Sequence, residues 1–303
     1  MSEAAKFRLE EINCPVCDAN EPKFVGWRGG EAHQSGAGLK TSIVRCSICS
    51  HQYPNPMPFP VGDLSEIYVD ADEYFHGDDV EQRKQNALDL MRTFEEKLGK
   101  KGRFLDVGCG AGELLWAADK AGWETEGIDP STDFIEIGRQ RLGVDGRVMT
   151  LEEANFPDNH FDAVVLGGII EHLYDPLGTL REVWRVLRPS GWLYFDAPNE
   201  DGLYMRAGNL YMRLRGRDWV VVMAPTFSPF HVQGFNPRSL RVISERANFK
   251  VRSLEIAGGV WEQRGESSMR KKIEFAGAKL INMLGKGLNM GSYMYIWAQK
   301  DVV

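Results

Sequence analysis

A glycine-rich turn between an apolar run and a helical pattern constrains the fold of this chain more than any other feature. The turn follows Phe104–Val107 and leads into the amphipathic window Glu113–Ala121, with glycines at positions 108, 110 and 112. Further apolar runs and helical windows then alternate along the chain. Such alternation predicts a mostly parallel sheet covered by helices on both faces, the doubly wound, Rossmann-like α/β class. In this class ligands bind beyond the carboxyl ends of the strands, where the turn lies.

Periodicity predicts the remaining elements. A helix is expected over 81–99, ahead of the glycine turn, and the segment between 201 and 237 has no clean period, which indicates an insertion or lid. Other helices are expected over 131–142, around Leu180–Leu187 and over 237–247, and strands over 124–128, 146–149, 163–166, 192–196, 251–256 and 293–299.

Two carboxylates restrict the kind of ligand that the turn can bind. Asp106 precedes the glycines and would repel a pyrophosphate, so the turn suits a ligand with an ammonium or hydroxyl group. Asp129 ends the next predicted strand, 17 residues after Gly112, where it can accept hydrogen bonds from ribose hydroxyls. The glycine spacing also differs from the G-x-G-x-x-G of dinucleotide sites, which disfavours an NAD-dependent dehydrogenase.

From Phe104 to Asn199 the chain resembles the class I S-adenosylmethionine (SAM) dependent methyltransferases. The D-x-G-x-G-x-G turn carries this resemblance together with segments 151–162, 167–176 and 185–191. The resemblance implies a seven-stranded methyltransferase sheet, SAM as cofactor, and a methyl-transfer reaction. It also implies which residues line the cofactor: Asp106, Gly108, Cys109, Gly110, Asp129, Pro130, Leu151 and Gly168. Gly112 fits cofactor contact or close helix packing equally well, and Cys109 is expected to be a small loop residue.

A hydroxyl or carbon acceptor must lose a proton, and histidine is the natural base near neutral pH. Two of the six histidines are candidates for catalysis. His172 follows the fourth predicted strand of the sheet, where the acceptor pocket of the resembled family begins. His231 lies in a His-x-x-x-Phe stretch similar to that of methyltransferases that modify sugars and related metabolites. Fold support for His172 and packing for His231 remain the alternatives.

Four of the five cysteines form two C-x-x-C pairs, Cys14 with Cys17 and Cys46 with Cys49. Two such pairs can complete the tetrahedral shell that Zn²⁺ prefers, and four thiolates leave the metal no open position for catalysis. We therefore expect a structural zinc site. Disulfides, a redox dithiol and a mixed site that uses His51 are the alternatives.

The N-terminal region is similar to that of sugar C-methyltransferases, which also carry a four-cysteine zinc domain. The similarity implies that Tyr74 is a candidate to close over the cofactor. In those enzymes an acid precedes the catalytic histidine, whereas Phe230 stands at that place here. The chain also stops at Val303, before their further C-terminal domain, so a full equivalence is not expected.

These patterns divide the chain into three parts. Residues 1–60 are predicted to form a zinc-binding module, 61–100 a linker and first helix, and 101–303 the SAM-dependent methyltransferase domain, with the lid around 201–237. The proline-rich stretch Tyr53–Pro60 is interpreted as a stiff linker because proline can propagate neither a helix nor a central strand.

Charge and hydropathy restrict the partners. The 36 basic and 43 acidic residues give a net charge of −7, so a nucleic-acid partner is not expected. No apolar stretch approaches the roughly 20 residues of a membrane span, and the N-terminus lacks a signal peptide, which favours the cytoplasm. Arginines 206, 213, 215 and 217 form a solvated face or bind an anionic acceptor. Lys279–Leu288 fits contact with a membrane surface or packing on the sheet.

The sequence thus predicts a SAM-dependent methyltransferase that O-methylates a small metabolite or a saccharide, including nucleotide-linked or lipid-linked ones, in a biosynthetic pathway. C-methylation of a nucleotide-linked sugar is the first alternative. A noncatalytic SAM-binding or zinc-scaffold protein is the second.

Overall fold

The computed structural model describes residues 6–32, 37–62, 80–221, 223–258 and 269–301. Its strands are β1 (Phe7–Glu10), β2 (Pro22–Arg28), β3 (Thr41–Cys46), β4 (Gln52–Pro54), β5 (Met57–Pro60), β6 (Arg103–Val107), β7 (Glu124–Asp129), β8 (Arg147–Val148), β9 (Phe161–Leu166), β10 (Leu187–Pro198), β11 (Phe249–Ala257) and β12 (Tyr293–Lys300). Its helices are α1 (Val80–Leu98), α2 (Glu113–Ala121), α3 (Thr132–Leu142), α4 (Leu151–Ala154), α5 (Pro176–Val186), α6 (Leu203–Leu214), α7 (Pro237–Arg246) and α8 (Met269–Gly287), with 3-10 turns at Gly30–Ala32 and Ile170–His172. No helix within the described ranges is long and apolar enough to cross a membrane.

The main sheet has seven strands in the order β11-β12-β10-β9-β6-β7-β8. Strand β12 runs antiparallel to β10 and β11, and the pairs formed by β10, β9, β6, β7 and β8 are parallel. The predicted Rossmann-like, mostly parallel methyltransferase sheet is therefore confirmed. The strand order changes direction beside β6 and β9, so their carboxyl ends open the crevice in which such sheets bind ligands.

Burial explains why these elements form. All six residues of β9 are buried, as expected for a strand that helices cover on both faces. Helix α1 buries Ala87, Met91 and Phe94, which recur on one helical face, and the left-handed Gly99 follows its last residue. Phe94 packs edge-on against Phe104 of β6 and Trp297 of β12. The helix predicted ahead of the glycine turn thus covers one face of the sheet.

The N-terminal region contains a three-stranded antiparallel sheet, β2-β3-β4, and the antiparallel pair β1-β5. The interpretation of Tyr53–Pro60 as a stiff linker was wrong, because these residues lie in β4 and β5, and Tyr53 and Met57 are fully buried. Both strands lie at sheet edges, where proline is tolerated since its missing N–H faces away from the ladder.

The segment between 201 and 237 begins with α6, which periodicity did not predict. Met205 is the buried residue of this helix, Leu210, Tyr211 and Leu214 are exposed, and its other apolar side chains are half-buried. Glycines at positions 202, 208 and 216 interrupt the pattern of this segment, which explains the miss. Beyond α6, described residues of this segment form isolated bridges between Trp219 and Trp27 and between Gly234 and Gln52.

These bridges attach the segment to the N-terminal strands. The Trp27 N–H donates to the Asp218 carbonyl over 2.6 Å, and the Val220 N–H donates back to the Trp27 carbonyl over 3.1 Å. Gln52 and Gly234 exchange both of their backbone hydrogen bonds, at 2.9 and 2.8 Å. The N-terminal strands therefore hold the chain on either side of His231.

Candidate functional site

The glycine turn joins β6 to α2 in backbone conformations that favour glycine. Gly108, Gly110 and Gly112 have φ values of 72°, 51° and 80°. A Cβ at position 108 would lie 2.6 Å from Cγ2 of Ile169, and one at position 112 would lie 2.4 Å from Cγ2 of Val144. The packing alternative for Gly112 thus has a geometric basis. The turn also lies directly against the segment that follows β9.

The backbone of the turn is tied to the neighbouring strand β7. The N–H groups of Gly108 and Cys109 both donate to the Ile128 carbonyl, over 2.8 and 3.0 Å. The Cys109 thiol is buried in a cluster with Leu115 and Ile135, and this burial raises its pKa. A packed, protonated thiol fits the expected loop residue rather than a nucleophile.

Two buried carboxylates face the turn. Asp129 ends β7, and its Oδ2 accepts the Gly110 N–H over 3.0 Å while its Oδ1 accepts the Ser131 N–H over 2.8 Å. Burial raises the pKa of Asp106 to about 8, and the charge of Asp129 contributes to this rise. Two neighbouring carboxylates attract a cationic group, such as a sulfonium or an ammonium, and repel a phosphate. Asp129 keeps lone pairs for hydroxyl donors.

The other cofactor residues that the resemblance implies lie at the same edge. Pro130 follows Asp129 directly, and the Met149 N–H donates to the Asp129 carbonyl over 3.2 Å. Leu151 is buried at the start of α4, which a Thr150 capping box begins. The structure thus brings residues from the ends of β6, β7 and β8 to one crevice.

Gly168 marks the other side of this crevice. Its N–H donates to Oδ1 of Asp196 over 2.6 Å, and the Tyr293 hydroxyl also hydrogen-bonds to this carboxylate. Burial raises the pKa of Asp196 to about 6. Asp196 was not predicted as a site residue, although one acid inside the apolar run Trp192–Ala197 was an available signal.

Glu171, His172 and His231 converge beside Gly168. One donor atom from each lies within 4.8 Å of the others, close enough to share a proton or a metal ion. The two imidazole rings are 4.9 Å apart between centroids and meet edge to face. The chain separates His231 from the other two by about 60 residues, so both histidines were predicted without being placed together, and Glu171 was missed as their neighbour.

Burial sets the protonation of this group. It raises the pKa of Glu171 to about 8, and it lowers the pKa of His172 to about 4 and that of His231 to about 3. Both imidazoles are therefore neutral at physiological pH. The His172 ring hydrogen-bonds to the backbone of Pro229 and Phe230. Glu171 Oε2 is buried and has no hydrogen-bond partner among the described residues.

Backbone contacts hold His231 against this group. The N–H groups of Val232 and Gln233 both donate to the Glu171 carbonyl over 2.9 Å. Phe230 has a φ of 61°, which a bulky residue adopts at a cost of about 1–3 kcal/mol when its surroundings enforce it. Strain at this position is consistent with a constrained site beside His172.

Gln233 connects this site to the N-terminal module. Its Oε1 accepts a hydrogen bond from the His51 ring over 2.7 Å, and its Nε2 donates to the Leu173 carbonyl over 2.8 Å. His51 is completely buried, and burial lowers its pKa to about 4. The imidazole that the sequence offered as an alternative metal ligand instead orients Gln233.

The four N-terminal cysteines form one cluster. The Sγ atoms of Cys14 and Cys49 are 3.5 Å apart, as are those of Cys17 and Cys46, and all four lie within 4.8 Å of one another. These distances exceed a disulfide bond of about 2.05 Å. They approach the separation of about 3.8 Å between sulfurs that each lie 2.3 Å from a tetrahedral Zn²⁺. The arrangement fits a metal site whose four positions are all filled by cysteine sulfurs.

Tyr74, the remaining cofactor candidate, lies outside the described residues. So do Tyr68, His33 and His76.

Comparisons with known proteins agree with this fold and crevice. The sequence profile of a family described as a methyltransferase domain matches residues 80–254. The ubiquinone biosynthesis O-methyltransferase of Actinobacillus pleuropneumoniae serotype 7 (strain AP76) is 30% identical over 190 residues, which cover 58% of this chain and 73% of that protein. The protein of the same name from Coxiella burnetii (strain RSA 331) is 26% identical over 212 residues, which cover 64% and 88%.

A crystal structure of a SAM-dependent methyltransferase from Archaeoglobus fulgidus has the same fold, with a TM-score of 0.50 and 21% identity over 77% of this chain and 99% of that one. The chain belongs to the methyltransferase domain family, and it is an enzyme that uses SAM as its methyl donor. This assignment favours the enzyme over the noncatalytic alternative.

Proposed function

We propose that this enzyme transfers the methyl group of SAM to a hydroxyl oxygen of a small metabolite or saccharide. The convergence of Glu171, His172 and His231 beside the glycine turn carries this proposal. The O-methyltransferase names of the two relatives support oxygen as the accepting atom. A nucleotide-linked or lipid-linked acceptor remains part of the proposal.

SAM supplies an electrophilic methyl group on a sulfonium, so the protein must mainly orient the donor and the acceptor. We infer that Asp129 accepts the ribose hydroxyls, since its carboxylate ends β7 beside the turn. Gly108 and Gly110 let the backbone approach the methionine part, and the acids near Asp106 favour its cationic groups. Pro130, Leu151 and Gly168 complete the walls.

His231 is the proposed base. Its ring is neutral and can accept the hydroxyl proton as the oxygen attacks the methyl group. Burial raises the pKa of the neighbouring Glu171 to about 8, so this carboxyl group is mostly protonated at neutral pH, and only its ionised form would stabilise the imidazolium that results. His172 hydrogen-bonds to the backbone ahead of His231, which assigns it to orienting that segment.

Replacing the base tests this assignment. His231→Ala should lower turnover by about 10²–10⁴ and leave SAM affinity within about twofold, since general-base catalysis contributes such factors. Turnover is measured as adenosylhomocysteine release with a panel of hydroxylated metabolites and nucleotide sugars, and affinity by calorimetry. His160→Ala, in a polar turn away from the crevice, is the matched control. Turnover of His231→Ala near the wild-type rate would contradict the assignment.

C-methylation of a nucleotide-linked sugar is the second candidate, and one contact favours it. Phe230 stands where related sugar enzymes have an acid, but Glu171 supplies a carboxylate to His231 from another segment. A carbon acceptor would exchange its acidic proton with deuterium in the presence of enzyme and adenosylhomocysteine. Exchange at a carbon next to a keto group would favour this candidate over O-methylation.

We further propose that the four cysteines hold one structural Zn²⁺ within an N-terminal module of residues 1–60, followed by a linker and first helix over 61–100 and the methyltransferase domain over 101–303. The closed cluster of thiols supports this assignment. Thiols that are not paired as disulfides also fit the cytoplasm, which we propose as the compartment.

A further inference from the structure

Two adjacent helices expose an apolar surface that the methyl-transfer chemistry does not use. Seven of the thirteen large apolar side chains that are exposed among the described residues lie on α6 or on α8 and the residue after it. Their exposed fractions range from 51% to 79%. We call this surface the two-helix face, and its apolar members are Leu210, Tyr211, Leu214, Leu280, Met283, Leu284 and Leu288.

The two helices contact each other where α6 begins and α8 ends. The Leu203 N–H at the start of α6 donates to the Met290 carbonyl just after α8, over 2.8 Å. A Cβ on Gly285 would lie 3.2 Å from the Cβ of Leu203, so the helices touch at this glycine. Isolated exposed apolar residues are ordinary, but a contiguous set indicates an interaction surface.

The charged side chains on the exposed parts of these helices are basic, although Arg206 lies 3.7 Å from Asp201 just before α6 and the exposed Asp218 follows Arg217. Four arginines on and after α6 and two lysines on α8 have exposed side chains. Neither 203–217 nor 276–300 contains an aspartate or a glutamate, although the whole chain has a net charge of −7. The basic side chains are Arg206, Arg213, Arg215, Arg217, Lys279 and Lys286.

Aromatic residues of β2 extend the face. The Arg213 side chain donates to the Val25 carbonyl over 3.4 Å, which joins α6 to β2. Phe24 and Trp27 on the same strand are 54% and 37% exposed and meet edge to face. Aromatic rings next to basic and leucine-rich helix surfaces are typical of proteins that lie in the headgroup region of a membrane.

We propose that the two-helix face binds the surface of a bilayer that contains anionic phospholipid. The leucines and Met283 would enter the boundary between headgroups and acyl chains, and the arginines and lysines would pair with the phosphates. A second copy of this chain fits less well, because two such faces would bring like charges together.

The position of the face relates it to the active site. Helix α6 follows the carboxyl end of β10, and α8 precedes β12, whose Tyr293 pairs with Pro198 at that same end. Glu171 and His172 also follow the carboxyl end of a central strand, β9. Binding through this face would thus hold the acceptor side of the crevice close to the bilayer.

Vesicle flotation with the full, metal-loaded chain tests the proposal. The wild type should float with vesicles of phosphatidylglycerol and phosphatidylcholine, and about tenfold less with phosphatidylcholine alone. The double variant Leu214→Ser/Met283→Ser should bind vesicles about tenfold more weakly, because it lacks two exposed apolar side chains that would enter the bilayer. Arg213→Gln/Arg215→Gln should lower binding to the anionic vesicles only, and added salt should have the same effect.

Leu9→Ser is the matched control, since Leu9 is an exposed leucine on β1 and belongs to neither helix. It should float like the wild type, and SAM binding measured by calorimetry should show that every variant is folded. Absence of wild-type flotation, or equal flotation of the double variant, would overturn the proposal. A dimer in analytical ultracentrifugation that the double variant dissociates would also overturn it, in favour of a second copy on this face.

Discussion

Asp129 shapes the crevice and is also the residue that we propose to bind the cofactor. Its carboxylate accepts the N–H of Gly110 and of Ser131, so it holds the glycine turn against the start of α3. The same oxygens are the proposed acceptors for ribose hydroxyls. Loss of this side chain would loosen the turn and remove the proposed contact to the ribose.

Asp129→Ala should therefore weaken SAM binding by about tenfold or more, which corresponds to about 1.4 kcal/mol. Calorimetry with SAM and adenosylhomocysteine gives the affinities. Asp133→Ala, on the exposed face of the neighbouring helix, is the control and should bind like the wild type. An unchanged affinity in the first variant would show that the ribose lies elsewhere.

Glu200 is a buried acid between the end of β10 in the main sheet and β4 in the three-stranded N-terminal sheet. Burial raises its pKa to about 8, although Arg45 and Arg28 oppose the rise, and its Oε2 has no partner among the described residues. The unfolded chain releases this proton near its ordinary pKa of 4.5, and the native protein releases it only near 8. Stability from this group is thus lost as pH rises between these two values.

Glu200→Gln removes that dependence. Relative to the wild type, the variant should gain about 1–3 kcal/mol in unfolding free energy between pH 5 and pH 8, because a tenfold difference in proton affinity between the native and unfolded states corresponds to about 1.4 kcal/mol. Urea unfolding at both pH values measures the gain. A difference between the two proteins that stays constant with pH would contradict the raised pKa.

The segment between α6 and α7 makes hydrogen bonds both to the N-terminal region and to the residues that follow β9. Gln233 is bound by His51 of the N-terminal region and by the carbonyl of Leu173, next to the 3-10 turn that carries Glu171 and His172. His231 lies two residues away, so its position depends on these contacts.

Gln233→Met keeps the volume of the side chain and removes its hydrogen bonds. Two hydrogen bonds contribute about 1–3 kcal/mol, so turnover should fall by about tenfold while SAM affinity stays unchanged. Steady-state kinetics with both substrates separates the two effects, and Gln233→Glu, which keeps the acceptor oxygen for His51, should retain more activity. Equal activities of all three proteins would show that Gln233 does not position the base.

In the whole molecule, hydrogen bonds connect the region of the cysteine cluster to the segment that lines the crevice. The strand that follows Cys49 pairs with Gly234, and Asn236 donates to the Ser50 carbonyl over 2.6 Å. The turns that carry the four cysteines thus support the segment that carries His231.

The purified protein should contain about one zinc ion per chain, and removal of the metal should lower both stability and turnover. Cys46→Ser should lose the metal, whereas Cys109→Ser, outside the cluster, should keep it. Elemental analysis and thermal unfolding measure these outcomes. Full turnover in the metal-free protein would show that catalysis does not depend on the metal-bound module.

Much of the fold could be predicted because its causes are local. The apolar run of β9, the helical period of α1 and the turn around Gly110 depend on residues within one or two turns of chain. The prolines of Tyr53–Pro60 misled the prediction, since β5 pairs with β1, whose residues lie 47 to 53 positions earlier in the chain. Asp196 was missed for a related reason: its partner Gly168 lies 28 residues earlier.

The sequence by itself determined the alternating elements, the glycine turn with its acids, and the paired cysteines, because each is a short-range pattern of residue types. Tertiary structure alone decided that Glu171 and His231 meet, that His51 orients Gln233, and that α6 and α8, with their exposed apolar side chains, contact each other. These contacts join distant segments, and their formation depends on how the whole chain packs, which no local pattern encodes.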